Sequence, residues 1–292
     1  MTLRFAYNTN GAANHRLDDA LDLIAGAGYD GVALTLDIHH LDPFAEDWAR
    51  EAERVASRLE RLGLGSVIET GARFLLDPTA KHEPTLVTPD AAGRARRVGF
   101  LKRAVEIGAI LKSEAVSFWA GVPREGVDRD EARGWLVEGL AEVAAYAEAR
   151  GVLPCLEPEP GMLIETLDDF AALDVPGLRL ALDTGHCLVT GEREPAAAVA
   201  EFADRIGTVA IEDMARGVHV HLPFGEGDMD VPGVLAALEG IGFERLICVE
   251  LSRESHRADR MIPQSLDYLR ECRRAGPGLP QADTEIRETV TR

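Results

Sequence analysis

The stretch Leu178-Arg179-Leu180-Ala181-Leu182-Asp183-Thr184-Gly185-His186 carries a short apolar run into an acid, a small-residue turn and an imidazole. An apolar run of that length, bounded by turn residues, fits a buried strand, although periodicity alone leaves a helical segment open. A carboxylate where such a strand stops, with a histidine three residues on, is where a barrel enzyme sets a metal ligand and its neighbour. Two other segments repeat the design. Val152 to Glu157 (VLPCLE) and Leu246 to Glu250 (LICVE) are apolar runs that also end on an acid.

Outward from these three, strand-like and helix-like segments alternate along the chain. Strands are expected at 3–8, 31–36, 64–69, 115–119, 152–157, 178–183, 208–212 and 246–250. Helices are expected at 17–27, 43–62, 94–107, 130–150, 166–173, 195–204, 231–241 and 262–273. Eight βα units with near-continuous apolar strands predict an α/β fold of one domain, a closed (β/α)8 TIM barrel over 1–275. Long irregular loops are expected after strands three (70–89) and seven (213–230), and loops of that length usually carry function. A doubly wound open sheet is the alternative. It would want a glycine-rich phosphate loop after strand one, and Thr9 to His15 (TNGAANH) matches that poorly. The polar segment 276–292 is expected to be a disordered tail.

The bulk numbers narrow the function. A chain of 292 residues, 46% hydrophobic, can bury a large core. No run approaches a membrane span and the first residues lack a signal-peptide core, so a cytoplasmic protein without membrane contact is expected. The four cysteines have no CxxC spacing, and reduced thiols are the simplest reading. A net charge of −19 repels phosphate backbones and argues against nucleic acid as a partner.

Active sites of this barrel lie at the C-terminal ends of the strands. The chain places Glu69, Trp119, Glu157 and Glu159, Asp183 and His186, Glu212 and Asp213, and Glu250 there. So many carboxylates around one mouth would repel one another unless a cation neutralised them. Glu157, Asp183 and Glu250 together therefore point to one divalent metal ion, with Mn, Zn, Co, Fe and Mg all compatible. Any single acid at a strand end also suits a helix cap. Glu69 and Glu159 are assigned to that role, and Asp183 fits an N-cap as well.

At these residues the chain resembles the xylose isomerase-like TIM barrels, the superfamily of sugar phosphate isomerases and epimerases. The resemblance rests on Glu157-Pro158, on Asp183-Thr184-Gly185-His186, on Pro223 to Asp228 (PFGEGD) and on Glu250, and it spans about residues 3 to 273. It implies Glu157, Asp183 and Glu250 as metal ligands, Glu157 and Glu250 doubling as catalytic acid and base, and His186 facing the substrate. The family's fourth ligand, a strand-seven histidine, falls at Ala210 here. Glu212 replaces it, or His219 or His221 folds back into the mouth, or the site is degraded. His221, just ahead of PFGEGD, is favoured. His219 is assigned to solvent, on the reading that an extended segment turns it the other way.

Further substrate-binding candidates are His82 and Arg73 in the first long loop, which suit a carboxylate or phosphate, together with Trp119 and His256. Each has a structural alternative, and His39 and His40 are left undecided. The expected function is metal-dependent isomerisation or epimerisation of a sugar, cyclitol or related polyol. It would proceed by proton abstraction next to a carbonyl through a metal-stabilised enediolate. The alternatives are a lyase dehydrating a keto-cyclitol or dehydroshikimate-like acid, and a non-catalytic small-molecule-binding barrel. The partner is then a small polyol or keto-sugar. A homo-oligomer is compatible with this reading, and the superfamily's DNA-repair branch is disfavoured by the charge.

Overall fold

A computed structural model describes residues 2–71 and 73–275. Among them, eight parallel strands close into a barrel in sequence order. The strands are β1 Arg4–Asn8, β2 Gly31–Thr35, β3 Gly65–Glu69, β4 Ala115–Trp119, β5 Leu153–Glu157, β6 Arg179–Asp183, β7 Ile206–Ile211 and β8 Leu246–Val249. The helices are α1 Leu17–Ala27, α2 Trp48–Leu62, α3 Ala91–Leu111, α4 Arg129–Glu148, α5 Leu167–Ala171, α6 Thr184–Thr190, α7 Pro195–Glu201, α8 Val231–Gly240 and α9 Ala258–Ala275. The barrel reading holds, and the expected tail 276–292 lies outside the described residues. No described helix is long and apolar enough to cross a membrane.

Successive side chains on a strand point to opposite faces, and here that rule sorts the core into two sets. Phe5, Tyr7, Leu34, Ile68, Leu156, Leu180, Leu182 and Val249 pack outward with the helices. Ala6, Ala33, Val67, Ala115, Cys155, Ala181 and Cys248 fill the barrel interior. These inner residues are mostly small, so the lumen is not filled to its upper rim. A small cavity opens above them at the mouth of the barrel.

The same parity carries the next inward position of each strand to the mouth. Register pairs Thr35 with Glu69, Trp119 with Glu157, and Asp183 with Ala210. Asn8, Glu69, Glu157, Asp183, Ala210 and Glu250 all line the one cavity. The strand-end acids therefore converge because each sits at an even spacing from an interior alanine, valine or cysteine below it.

Two local departures from the expected elements bear on the site. Thr184 and Gly185, expected as a turn, are the first residues of α6, which starts directly from β6. Asp183 makes this possible by accepting hydrogen bonds from the N–H groups of Gly185 and His186. Helix α2 begins at Trp48 rather than near Pro43, because Asp42 holds a turn ahead of it, accepting from Phe44 N and Ala45 N.

Candidate metal and substrate site

Asp183 serves both of its expected roles. Its Oδ1 caps α6 at 2.7 Å from Gly185 N and 3.1 Å from His186 N. Its Oδ2 is buried with no hydrogen-bond partner and lies 3.3 Å from His186 Nε2. Burial opposes its ionisation, but His186, His221 and the His186 N–H outweigh that and hold the carboxyl below its ordinary range. His186 is oriented by its other nitrogen, Nδ1, which sits 3.0 Å from the Pro158 carbonyl. That contact requires a proton on Nδ1 and aims Nε2 into the mouth.

Glu212 stands just past β7 and is fully buried; its carboxyl lies against that of Asp183, and neither of its oxygens meets an N–H or O–H donor. Burial raises its pKa well above the usual carboxylate value, and the nearby Asp183 raises it further. Asp183, Glu212 and His221 each offer a ligand atom within 4.8 Å of the others. Glu157, Asp183 and His186 form a second such set, and Glu159, His186 and His219 a third. An unpaired buried carboxylate costs several kcal/mol. The orphaned oxygens of Asp183 and Glu212 and the partnerless His221 Nδ1 thus form a donor set that suits a divalent cation. Ala210 lines the cavity where the family's histidine would stand.

Three sequence expectations need correction. His219 does not face solvent: its Nε2 lies 3.2 Å from His186 Nε2 and 3.7 Å from Glu159. A tight turn at His219, closed by Val220 N donating to the Val218 carbonyl, brings His219 and His221 side by side with their rings 5.7 Å apart. Glu159 is not a helix cap, since Thr166 caps α5, and burial pushes its pKa up to about 7. Glu69 is not one either, since Asp90 caps α3. It accepts from Gly71 N at 2.5 Å and faces the cavity.

Glu157 and Glu250 flank the cavity as expected. Burial raises both above the ordinary range, with Glu159 and Asp183 adding to Glu157 and Asp183 adding to Glu250. Asn10 Nδ2 donates to Glu250 Oε1 at 2.9 Å. Glu250 belongs to none of the three tight ligand sets among the described residues.

The other candidates divide. His82 stands edge-on to Trp119 with ring centroids 5.1 Å apart, and burial lowers its pKa to about 4. Trp119 is itself buried, one ring face covered by the Arg97 guanidinium at 4.3 Å. Arg73 is exposed on the loop beside His82, accepting from His82 N through its carbonyl. His256 is exposed in a 3-10 turn after β8. Of the undecided pair, His40 is buried against the His15 carbonyl and His39 is exposed.

Sequence reading overlooked Arg97 and the role of Asp213. Arg97 is fully buried on α3, and its Nε and Nη2 have no partner. The legible signal was its place in the apolar stripe of Leu101, Ala104 and Gly108. Asp213 accepts from Gly225 N and Met229 N at 2.8 and 2.9 Å and pairs its backbone with Leu222. It thereby folds the second long loop back and delivers His219 and His221 to the mouth.

A closed βα barrel with an acid-and-imidazole mouth defines a class, and comparison with known proteins agrees. The chain belongs to the xylose isomerase-like TIM barrel family, whose profile matches residues 21–272. It is similar to a mannonate dehydratase of Rhizobium meliloti (strain 1021), 27% identical over 267 residues and 80% of this chain. The chain spans 64% of that relative's length. It is 24% identical to the L-ribulose-5-phosphate 3-epimerase UlaE of Salmonella paratyphi C (strain RKS4594), over 90% of this chain and 92% of the relative. Among solved structures, the IOLI protein with a bound zinc atom superposes with a TM-score of 0.72 at 19% identity. That match covers 92% of this chain and 98% of the other.

Proposed function

We propose that this protein is a metal-dependent isomerase or epimerase of a sugar, cyclitol or related polyol. The observation that carries the reading is the convergence of Glu157, Asp183 and Glu250 on one cavity, with buried oxygens of Asp183 and Glu212 left without a donor. Asp183 and Glu157 would hold the ion, with Glu212 and His221 in place of the histidine missing at Ala210. The epimerase relative supports the class of reaction, and the zinc in the IOLI structure supports the use of a metal. A bound divalent ion supplies positive charge beside an oxygen on which negative charge develops.

The chain's own residues do the rest. Glu157 on β5 and Glu250 on β8 reach the cavity from different sides, so one can remove the proton next to a carbonyl and the other return it. Burial raises both above the ordinary carboxylate range, which makes each a stronger base for that proton. His186, its ring fixed by Pro158, points Nε2 at a substrate oxygen. Arg73 and His82, on the loop between β3 and α3, would contact the rest of the substrate.

The test is exchange of the carbon-bound proton with D2O, screened by NMR over ketoses, inososes and their phosphates with Mn, Co or Zn present. Exchange that is lost in Glu157→Gln, while ligand binding persists, supports the reading. Absence of exchange from every substrate, with no ion retained by the purified protein, would overturn it. The dehydratase relative favours a second reading as a lyase, in which the same proton abstraction expels a neighbouring hydroxyl. Loss of water from the substrate, seen by mass spectrometry, separates the two.

A further inference from the structure

A hydrogen-bond chain across the mouth settles which acid carries a proton. Thr35 Oγ1 lies 2.9 Å from Asn8 Oδ1 and 2.9 Å from Glu69 Oε2. A hydroxyl has one hydrogen, so it can donate to only one of these oxygens. The amide of Asn8 is not free to turn over. Its Oδ1 already accepts from Asn10 N at 3.1 Å, and its amide hydrogen-bonds Glu250. Turned over, it would set an NH2 against the Asn10 N–H.

Thr35 therefore donates to Asn8, and its lone pair faces Glu69. Two oxygens at 2.9 Å without a hydrogen between them repel, so that hydrogen belongs to Glu69. The chain then runs one way: Glu69 O–H to Thr35, Thr35 O–H to Asn8, Asn8 N–H to the Glu250 carboxylate. The other oxygen of Glu69 is occupied by Gly71 N–H.

We propose that Glu69 is a third catalytic carboxyl of this site, present as the neutral acid and delivering its proton to a substrate oxygen in the cavity it shares with Glu157 and Glu250. This rests on the isomerase reading. In the step, the carbon-bound proton passes to a carboxylate base and the C–H electron pair forms a C=C bond. The carbonyl π pair moves onto oxygen, which takes the Glu69 proton, and Glu69 is left ionised. The second half-reaction runs the transfers backward from the neighbouring hydroxyl and restores the acid. The surroundings agree. Burial and the charge of Glu250 push Glu69 up to about 7, against the pull of Gly71 N–H and Arg97.

Infrared difference spectroscopy of the zinc-loaded full chain at pH 7 tests the proton directly and does not depend on finding a substrate. Subtracting Glu69→Gln should reveal a protonated carboxyl C=O stretch, sensitive to D2O. Thr35→Val should move that band toward a free acid while leaving the fold, followed by circular dichroism, unchanged. Gln can still donate to Thr35 and accept from Gly71, so Glu69→Gln should fold normally. With a substrate that exchanges, it should lower kcat about 100-fold or more with little change in KM. No protonated band assignable to Glu69, or a full kcat in Glu69→Gln, overturns the proposal while leaving Glu157 and Glu250 as the catalytic pair. Failure of every sugar to exchange, with the band present, instead removes the isomerase reading and leaves only the proton assigned.

Discussion

At the scale of single residues, the site is decided by what each buried polar atom lacks. Glu212 has two fully buried oxygens without a donor, set against the Asp183 carboxyl, a state that a cation relieves. Glu212→Gln removes the charge and keeps the volume, so zinc affinity measured by calorimetry should fall about 10–100-fold or more. An unchanged affinity would move the ion away from β7. His82 gives a pH prediction. Its folded pKa, about 4, lies below the ordinary 6.5, so the folded state disfavours its protonation. As pH falls from about 6.5 toward 4, the unfolded chain binds a proton that the folded chain does not. Stability should therefore fall over that window. Urea midpoints between pH 7 and 4.5 should fall less steeply in His82→Gln than in the native protein.

At the scale of elements, the β7–α8 loop and the start of α6 build the site from backbone contacts. Asp213 uses two oxygens for two N–H groups. In Asp213→Asn only one acceptor oxygen remains, so one buried N–H is left unpaired at a cost of about 1–3 kcal/mol. The urea midpoint should drop, and Gly225 and Met229 amide exchange should quicken. Zinc binding should weaken too, since His219 and His221 hang from this loop. Gly185 meets a different constraint. A Cβ there would lie 2.3 Å from Glu212 Oε1 and 2.8 Å from Met214 Cε. Gly185→Ala should destabilise the protein by about 1–3 kcal/mol through overpacking, and should displace Glu212 from the metal set. A native urea midpoint and native zinc affinity in this variant would contradict that packing.

At the scale of the whole molecule, the barrel protects its thiols. Cys155, Cys187, Cys248 and Cys272 are all free and buried. Burial pushes Cys155 and Cys248 up to about 12, which leaves almost no thiolate at neutral pH. A thiol reagent should react slowly with the folded protein and quickly with four cysteines in guanidinium. Fast labelling of the folded chain would show that the barrel opens locally.

The barrel and the acids at its rim are legible from local sequence alone. Strand periodicity and short turns are local properties, and the motif residues Glu157, Asp183 and Glu250 stand at strand ends that periodicity locates. Asp183 was readable as either cap or ligand because a carboxylate has two oxygens, and the fold uses one for each. The remainder depends on contacts made when the chain folds. His219, Glu159 and Glu69 join the site through packing between segments far apart in the chain, which no spacing encodes. Arg97 was hidden because a buried arginine and a surface one look alike until the helix face is known. The proton on Glu69 depends on Asn8, Thr35 and Gly71, brought together by three different strands and their loops. Such a chain exists only once the barrel closes and places each donor against its acceptor.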